Sequence, residues 1–217
     1  GFRPDVLVMT ATPIPRTLAL TVYGDLDVSS IRELPEGRLP IKSTAKPESR
    51  RDEIYRFVRA QLDAGRQMYV VYPLVEESEK VDVKAATAMA DTLAADVFPQ
   101  YRIGLLHGRL KTEAKERVMR AFTGAELQIL VTTTVVEVGV DVANATVMVI
   151  EHAERMGLAQ LHQLRGRIGR GAAKAECVLL FAEPLTPTAR ERLKIIFEHR
   201  DGFEIARQDL VIRGPGE

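Results

Sequence analysis

Short apolar runs alternate with amphipathic helical patterns along most of the chain, and this alternation limits the fold more than any other feature of the sequence. Five segments are predicted to be strands: Met68–Tyr72, Ile103–Leu106, Leu127–Val131, Thr146–Ile150 and Cys177–Phe181. Apolar runs of this length, separated by helical patterns, are typical of parallel strands whose connections cover the sheet. We therefore predict an α/β fold with a mostly parallel sheet flanked by helices.

Helical patterns lie between these strands and beyond the last one. The segment Glu48–Leu62 has Ile54 and Val58 on one apolar face, and Gly65 follows it. Further helices are predicted at about 84–95, from Thr112 through Phe122, around Leu158–Leu164, and at Arg190–His199. Five strands with interleaved helices describe a RecA-like or Rossmann-like domain over roughly residues 41–183.

A segment rich in proline and glycine, Leu34–Pro40, resists both helix and sheet and marks a domain boundary. We place residues 1–38 in one domain, residues 39–184 in the α/β domain and residues 185–217 in a C-terminal helical hairpin. The final residues, 213–217, do not resemble a natural polar tail. We therefore expect the chain to be cut from a longer protein.

The composition excludes several classes of protein. Hydrophobic residues make up 46% of the 217 residues and charged residues 28%, which is typical of a folded globular chain. No apolar run approaches the ~20 residues that a membrane-spanning helix needs, and no secretion leader precedes the first predicted strand. The single Cys177 allows neither an internal disulfide nor a thiolate zinc site, which favours a cytoplasmic location.

The strongest functional pattern is a basic segment at residues 160–171, which reads Gln-Leu-His-Gln-Leu-Arg-Gly-Arg-Ile-Gly-Arg-Gly. Its arginines, Arg165, Arg167 and Arg170, form a predicted cationic cluster on a helix and the turn after it. Guanidinium groups match phosphate oxygens, and the glycines allow a ligand to approach closely. A solvated basic helix end is the alternative interpretation, since positive charge is also favourable there. The net charge of +0 conceals this local cluster.

Polar residues follow the predicted strand Leu127–Val131. Thr132 and Thr133 come directly after it, and Asp141 lies eight residues further on. Hydroxyl groups and backbone amides at the carboxyl end of a strand are suited to holding a phosphate backbone. The alternatives are ordinary strand ends for the threonines and a turn or helix cap for Asp141.

A His-Gly turn follows the predicted strand Ile103–Leu106. It consists of His107 and Gly108, with Arg109 next to them and further basic and acidic residues beyond. By charge alone this region is an ordinary exposed helix face. No second histidine or cysteine lies at metal-ligand spacing from His107, so we expect no metal site there.

The basic segment resembles motif VI of superfamily 2 helicases, in which Gln or His precedes Gly-Arg-x-Gly-Arg. The resemblance implies that this domain faces an ATP bound by a first motor domain. It further implies that Arg170 is the arginine finger, Arg167 its partner and Gln163 a polar contact in the cleft. A preorganised cation stabilises the charge that develops on a transferred phosphoryl group.

Two other segments resemble motifs of the same helicases, with residues 130–141 similar to motif V and residues 106–110 similar to the His-Gly turn. The resemblance assigns five residues to the DNA backbone: His107, Gly108, Arg109, Thr132 and Thr133. It assigns Gly139 and Asp141 to the nucleotide, with Asp141 accepting a ribose hydroxyl.

The segment Thr10–Ala11–Thr12 resembles motif III, which couples nucleotide state to nucleic-acid grip in the first motor domain. The chain contains neither the Gly-x-x-x-x-Gly-Lys-Ser/Thr phosphate loop nor the Asp-Glu-x-His strand of that domain. We therefore expect ATP with Mg²⁺ to be held mainly by a missing first motor domain, and this chain alone to be inactive as an ATPase.

Several segments resemble the RecG family of bacterial DNA helicases: residues 17–27, 72–79, 202–206 and 209–216. This resemblance covers essentially the whole chain and implies an ATP-dependent double-strand DNA translocase that remodels stalled forks and branched recombination intermediates. Arg192, Asp209 and Arg213 are the predicted coupling residues, with a packed helical hairpin as the alternative. The implied partners are forked or branched DNA, and the wedge and first motor domain of the same protein. Ala143 departs from the proline expected in many relatives.

Three alternatives stay open. A translocase similar to the transcription-repair coupling factor shares motif VI, and an RNA helicase would use the same motifs on RNA. A non-enzymatic nucleic-acid-binding module fits the missing phosphate loop but leaves Arg167 and Arg170 without a role. Stimulation of ATP hydrolysis by DNA or by RNA would discriminate between the helicase classes.

Overall fold

The computed structural model describes residue 29 and residues 39–73, 79–133, 142–171 and 173–213. Its described residues contain one six-stranded sheet in the order β1-β6-β5-β2-β4-β3. The strands are β1 (Lys42–Pro47), β2 (Gln67–Val71), β3 (Ile103–Leu106), β4 (Ile129–Thr132), β5 (Ala145–Ile150) and β6 (Glu176–Phe181). Each pair of neighbouring strands is parallel. The predicted α/β class with a RecA-like parallel sheet is confirmed.

Helices connect the strands and cover the sheet. They are α1 (Arg51–Asp63), α2 (Glu79–Thr92), α3 (Thr112–Thr123), α4 (Leu158–Arg165), α5 (Pro187–Glu198) and α6 (Gly202–Arg213). Short 3-10 turns at Glu48–Arg50 and Ala153–Arg155 precede α1 and α4, and a π turn at Leu93–Val97 follows α2.

Alternation along the strands divides the core into two layers. On β2, Tyr69 and Val71 face one layer, whereas Met68 and Val70 face the other. The first layer is completed by apolar residues of α3, α4, α5 and α6, and the second by residues of α1 and α2. The sheet is therefore covered on both faces, which explains why β2, β4 and β5 are buried along their whole length.

Strand β1 was not predicted, so the expected count of five strands is wrong. Its sequence, Lys-Ser-Thr-Ala-Lys-Pro, contains no apolar run. It lies at an edge of the sheet and is only partly buried, with Lys42 paired to Glu176 and Pro47 to Phe181. An edge strand tolerates polar residues and a terminal proline, because one side of it needs no hydrogen-bond partner.

The two helices predicted after the sheet are present as α5 and α6, joined by residues 199–201. Helix α5 begins earlier than the predicted Arg190, because the Thr186 hydroxyl accepts a hydrogen bond from the Ala189 amide at 3.2 Å and Pro187 opens the first turn. Both helices pack against α4.

Some predicted features lie outside the described residues. They are the motif III residues Thr10, Ala11 and Thr12, nearly all of the proposed first domain, and the nucleotide-side residues Gly139 and Asp141. Among the helices that the structure describes, none is long and apolar enough to cross a membrane.

Candidate functional site

The predicted site residues divide between the two edges of the sheet. Since the strands are parallel, their carboxyl ends lie together at one edge and their amino ends at the other. His107 and Thr133 directly follow β3 and β4 at the carboxyl edge. The glycines of the basic segment, Gly169 and Gly171, instead lie close to residues just before β1, β5 and β6 at the amino edge.

At the carboxyl edge, the ends of β3 and β4 are joined. Thr132 pairs with Leu106 in the register of the two strands, and the Thr133 amide donates to the Leu106 carbonyl at 3.3 Å. Both threonines are buried, and the Thr133 hydroxyl has no hydrogen-bond partner among the described residues. A buried hydroxyl without an internal partner is suited to accept or donate a hydrogen bond to a bound group.

The His-Gly segment forms a tight turn next to these threonines. The amide of Leu110 donates to the carbonyl of His107 at 3.2 Å, which closes the turn. Gly108 and Arg109 at its tip are exposed. The structure thus brings the five residues assigned to DNA to the ends of two neighbouring strands.

The basic segment leaves α4 as a glycine turn against the amino edge. Gly169 has a φ of +69°, and a Cβ there would lie 3.0 Å from the Ala175 Cβ and 3.1 Å from Ile41. A side chain at Gly171 would lie 3.1 Å from the carbonyl oxygen of Ala143. Glycine is therefore required at both positions, by backbone conformation at the first and by close packing at each.

Two arginines of the segment are available to a ligand. Arg170 is exposed and Arg167 is half-buried. Within the described part of the chain neither side chain has a carboxylate or hydrogen-bond partner. Gln163 is half-buried on the last turn of α4. Unpaired guanidinium groups next to a glycine turn fit the phosphates of a nucleotide, which would approach from outside this domain.

Arg165 differs from the other two arginines, so the prediction of one cluster of three is wrong. Its side chain is 5% exposed and donates to the carbonyls of Ile196 at 2.8 Å and His199 at 2.9 Å. These carbonyls end α5 and have no partner within that helix. Arg165 therefore caps α5 rather than facing a ligand.

His162 accepts a hydrogen bond from the same guanidinium. The distance between Arg165 Nη2 and His162 Nδ1 is 3.0 Å. Burial, together with the positive charge of Arg165, lowers the pKa of His162 to about 4. Burial also lowers the pKa of Arg165. The imidazole is consequently neutral near pH 7 and serves as an acceptor.

The predicted coupling residue Arg192 joins α5 to the turn before α4. It donates to the carbonyls of Met156 and Glu154, each at 3.1 Å. Helix α5 is thus fastened to both ends of α4, by Arg192 at the beginning and by Arg165 at the end. Asp209 is half-buried on α6, and the side chain of Arg213 lies outside the described set.

An ion pair at the carboxyl edge was missed by the sequence analysis. Arg51 contacts Glu151 through two hydrogen bonds, 2.6 Å between Nη1 and Oε1 and 2.8 Å between Nη2 and Oε2. Glu151 is 1% exposed, and this contact raises the pKa of Arg51 above its ordinary value. The partners are 100 residues apart, and neither belongs to a recognisable local motif. Nothing in the sequence pattern could have paired them.

The sequence of this domain matches a known protein family. The family model described as the helicase conserved C-terminal domain matches residues 49–172, which is more than half of the chain. The chain therefore belongs to the family of helicase C-terminal domains.

Similarity to individual proteins leads to the RecG family. The chain is 56% identical over 218 residues to the ATP-dependent DNA helicase RecG of Acidithiobacillus ferridurans, which covers 100% of this chain and 32% of the relative. It is 53% identical over 217 residues to RecG of Thermotoga maritima, and this match covers 100% of this chain and 28% of the relative. The solved structure of RecG bound to a three-way DNA junction has a TM-score of 0.82 and 50% identity, over 98% of this chain and 27% of that chain.

The predicted resemblance to the RecG family is confirmed along the whole chain. The chain spans about a third of the length of these curated relatives. Position 143, where proline was expected in many relatives, is the alanine that packs against Gly171.

Proposed function

We propose that this chain is the second motor domain of an ATP-dependent double-strand DNA translocase of the RecG type, which remodels stalled replication forks and branched recombination intermediates. The proposal depends most on two arginines, Arg167 and Arg170, which lie on a glycine turn at the amino edge. Neither side chain has an ion-pair or hydrogen-bond partner among the described residues. The similarity to RecG proteins over the whole chain supports it. The cytoplasmic location stays a prediction.

On the nucleotide side, the chain supplies the cations and a polar contact. ATP and Mg²⁺ would be held mainly by the first motor domain. The ATP would supply the phosphoryl group. Arg170 donates hydrogen bonds to phosphate oxygens of that nucleotide and stabilises the charge that develops during transfer. Arg167 supports it as a second cation, and Gln163 contacts the nucleotide from α4. Gly139 and Asp141 are proposed to contact the sugar.

On the DNA side, the carboxyl edge holds the phosphate backbone. Thr132 and Thr133 lie at the end of β4, and the Thr133 hydroxyl has no hydrogen-bond partner among the described residues. Next to them the His107–Arg109 turn presents the backbone of Gly108 and the guanidinium of Arg109, both exposed. These are the contacts that position a protein on nucleic acid without reading its sequence. Branch specificity would come from the wedge domain.

The C-terminal helices would connect the two sides. Arg192 fastens α5 to the turn that leads into α4, the helix that carries the basic segment. Asp209 and Arg213 are proposed to continue this connection through α6, with Thr10, Ala11 and Thr12 acting from the first motor domain. The contact of Arg192 with the turn before α4 supports this proposal.

The test is ATP hydrolysis by the intact protein with forked DNA, duplex DNA or structured RNA. We expect forked DNA to stimulate hydrolysis most. Arg170→Ala should lower the stimulated rate by about 10³-fold or more, since a lost arginine finger costs about 10³ to 10⁵. Binding to the fork should be nearly unchanged, because Arg170 lies at the edge opposite the predicted DNA contacts.

Lys174→Ala is the matched control, because Lys174 is an exposed cation four residues after Arg170. It should leave hydrolysis unchanged. Equal loss of hydrolysis and fork binding in Arg170→Ala would contradict the finger assignment. Stimulation by RNA instead of DNA would favour an RNA helicase, and no hydrolysis from a folded intact protein would favour a binding module.

A further inference from the structure

We propose that Gln67 and Asn144 are positioning residues for Arg170, although neither belongs to a predicted motif. This inference rests on the proposed function of Arg170 in ATP hydrolysis. The two amide side chains lie at the amino edge of the sheet, at the beginnings of β2 and β5. Asn144 is preceded by Ala143, which lies next to the glycine turn of the basic segment.

The Gln67 amide is fixed in one orientation. The side chain is 2% exposed, and its Nε2 donates to the carbonyls of Phe122 at 2.6 Å and Leu127 at 2.7 Å. Reversing the amide would place its oxygen against these two carbonyl oxygens, so the reversed orientation is unfavourable. The Oε1 atom of Gln67 is therefore directed at Asn144.

Asn144 is held in turn by two acceptors. Its Nδ2 donates to Gln67 Oε1 at 3.3 Å and to the carbonyl of Gly65 at 2.9 Å. The backbone adds a third contact, because the Gln67 amide donates to the Asn144 carbonyl at 3.1 Å. The pairing of β2 with β5 shifts by one residue directly after this contact, between Gln67 and Met68. Such bulges are frequent beside active sites, where they redirect the chain.

The residue before Asn144 contacts the basic segment. The Ala143 carbonyl oxygen lies 3.1 Å, and its Cβ 3.5 Å, from the position that a Cβ on Gly171 would occupy. Gly171 is adjacent to Arg170 in the chain. The two backbones therefore pass close enough to leave no room for a side chain at position 171, and a shift of Asn144 would move Ala143 relative to this turn. The hydrogen bonds of Gln67 and Asn144 thus set the position of the backbone next to Arg170.

The main test substitutes Asn144 in the intact protein. Asn144 is only half-buried, so the loss of its side chain should be tolerated by the fold. We expect Asn144→Ala to lower the kcat of DNA-stimulated ATP hydrolysis by about tenfold, because small misplacements of catalytic groups carry penalties up to about 10². The KM for ATP and the Kd for forked DNA should change by less than about twofold. Asn144→Asp, which replaces both donors by acceptors, should lower kcat at least as far.

Gln128→Met is the matched control. Gln128 is another amide at the amino edge, where it accepts from the Arg102 amide at 3.0 Å and donates to the Ala125 carbonyl at 3.0 Å. Its side chain forms no hydrogen bond with Asn144 in the described part of the chain, and we expect its substitution to leave kcat unchanged. An equal loss in Gln128→Met would mean that any disturbance of this edge lowers hydrolysis, and the inference would be overturned.

Combining Asn144→Ala with Arg170→Lys tests whether Asn144 acts on hydrolysis through Arg170. Lysine keeps the charge but not the two-pronged geometry, so Asn144→Ala should cost clearly less in this background than in the wild type. Full additivity would overturn the inference. If Arg170→Ala abolishes hydrolysis while both Asn144 variants are fully active, only this inference fails. If Arg170→Ala is itself active, the proposed function fails, and no loss in the Asn144 variants could then act through Arg170.

Discussion

At the scale of single residues, Glu151 carries a charge that is almost completely removed from water. Two hydrogen bonds from Arg51 compensate for this burial. The centroid of the Tyr55 ring lies 5.9 Å from the guanidinium carbon of Arg51. A buried carboxylate that loses its cation costs much more than an exposed pair contributes. The pair therefore fixes the start of α1 against the end of β5.

We predict that Arg51→Met lowers the free energy of unfolding by about 3 kcal/mol, because Glu151 is left buried without a cation. Urea unfolding of the chain measures the change. Arg50→Met is the control, since among the described residues Arg50 pairs with the exposed Glu53 and its loss should change the free energy of unfolding far less. A double variant, with methionine at both Arg51 and Glu151, should recover part of the loss. Equal losses of stability in Arg51→Met and Arg50→Met would contradict the role assigned to the Arg51–Glu151 pair.

The pairing of residues also explains which parts of the site the sequence could predict. Arg167 and Arg170 are recognisable because the five-residue pattern Gly-Arg-Ile-Gly-Arg that contains them carries the motif. The structural role of Arg165, two residues before Arg167, depends on carbonyls more than 30 residues away. The contacts of Arg51 with Glu151 and of Gln67 with Asn144 span still greater separations. No local pattern encodes such contacts.

At the scale of elements, α4 and α5 form one unit. Arg165 caps the end of α5, Arg192 holds the turn before α4, and apolar residues of both helices share one core layer. The apolar runs predicted β2 to β6 and most helices, because buried elements must be apolar on at least one face. They could not predict β1, whose edge position removes that requirement.

The neutral state of His162 makes this unit sensitive to acid. The pKa of His162 is lowered to about 4 in the folded chain, whereas an unfolded histidine has a pKa near 6.5. Between these values the unfolded chain binds the extra proton, so stability is present above about pH 6.5 and is lost as the pH falls towards 4. We predict that His162→Asn, which keeps an acceptor for Arg165 but cannot titrate, reduces the fall in melting temperature between pH 7 and pH 4.5. Superimposable pH profiles for both proteins would contradict this role.

At the scale of the whole molecule, the net charge of +0 gives no general attraction to DNA. Under the proposed function, binding would therefore depend on local contacts at the carboxyl edge, and each contact with a phosphate would release counterions. The exposed Arg109 in the turn after β3 is the contact that this proposal makes easiest to test.

We predict that weak binding of the chain to duplex DNA falls steeply with salt, and that Arg109→Ala reduces the slope of log K against log salt by about one. Fluorescence anisotropy between about 50 and 200 mM salt measures the slope. Arg117→Ala, an exposed arginine further along α3, is the control and should keep the wild-type slope. An affinity independent of salt would argue against the backbone contacts.

The placement of the two sets of residues at opposite edges has a mechanical consequence. The six residues of β6 span roughly 20 Å at about 3.3 Å per residue, so the glycine turn that carries Arg170 and the carboxyl edge are separated by the full height of the sheet. A tilt of roughly 10° about the glycine turn would displace the carboxyl edge by roughly 3.4 Å, which is the rise of one base pair. Under the proposed function, the domain therefore needs no internal rearrangement to advance along DNA by one base pair, because the sheet itself acts as the lever arm.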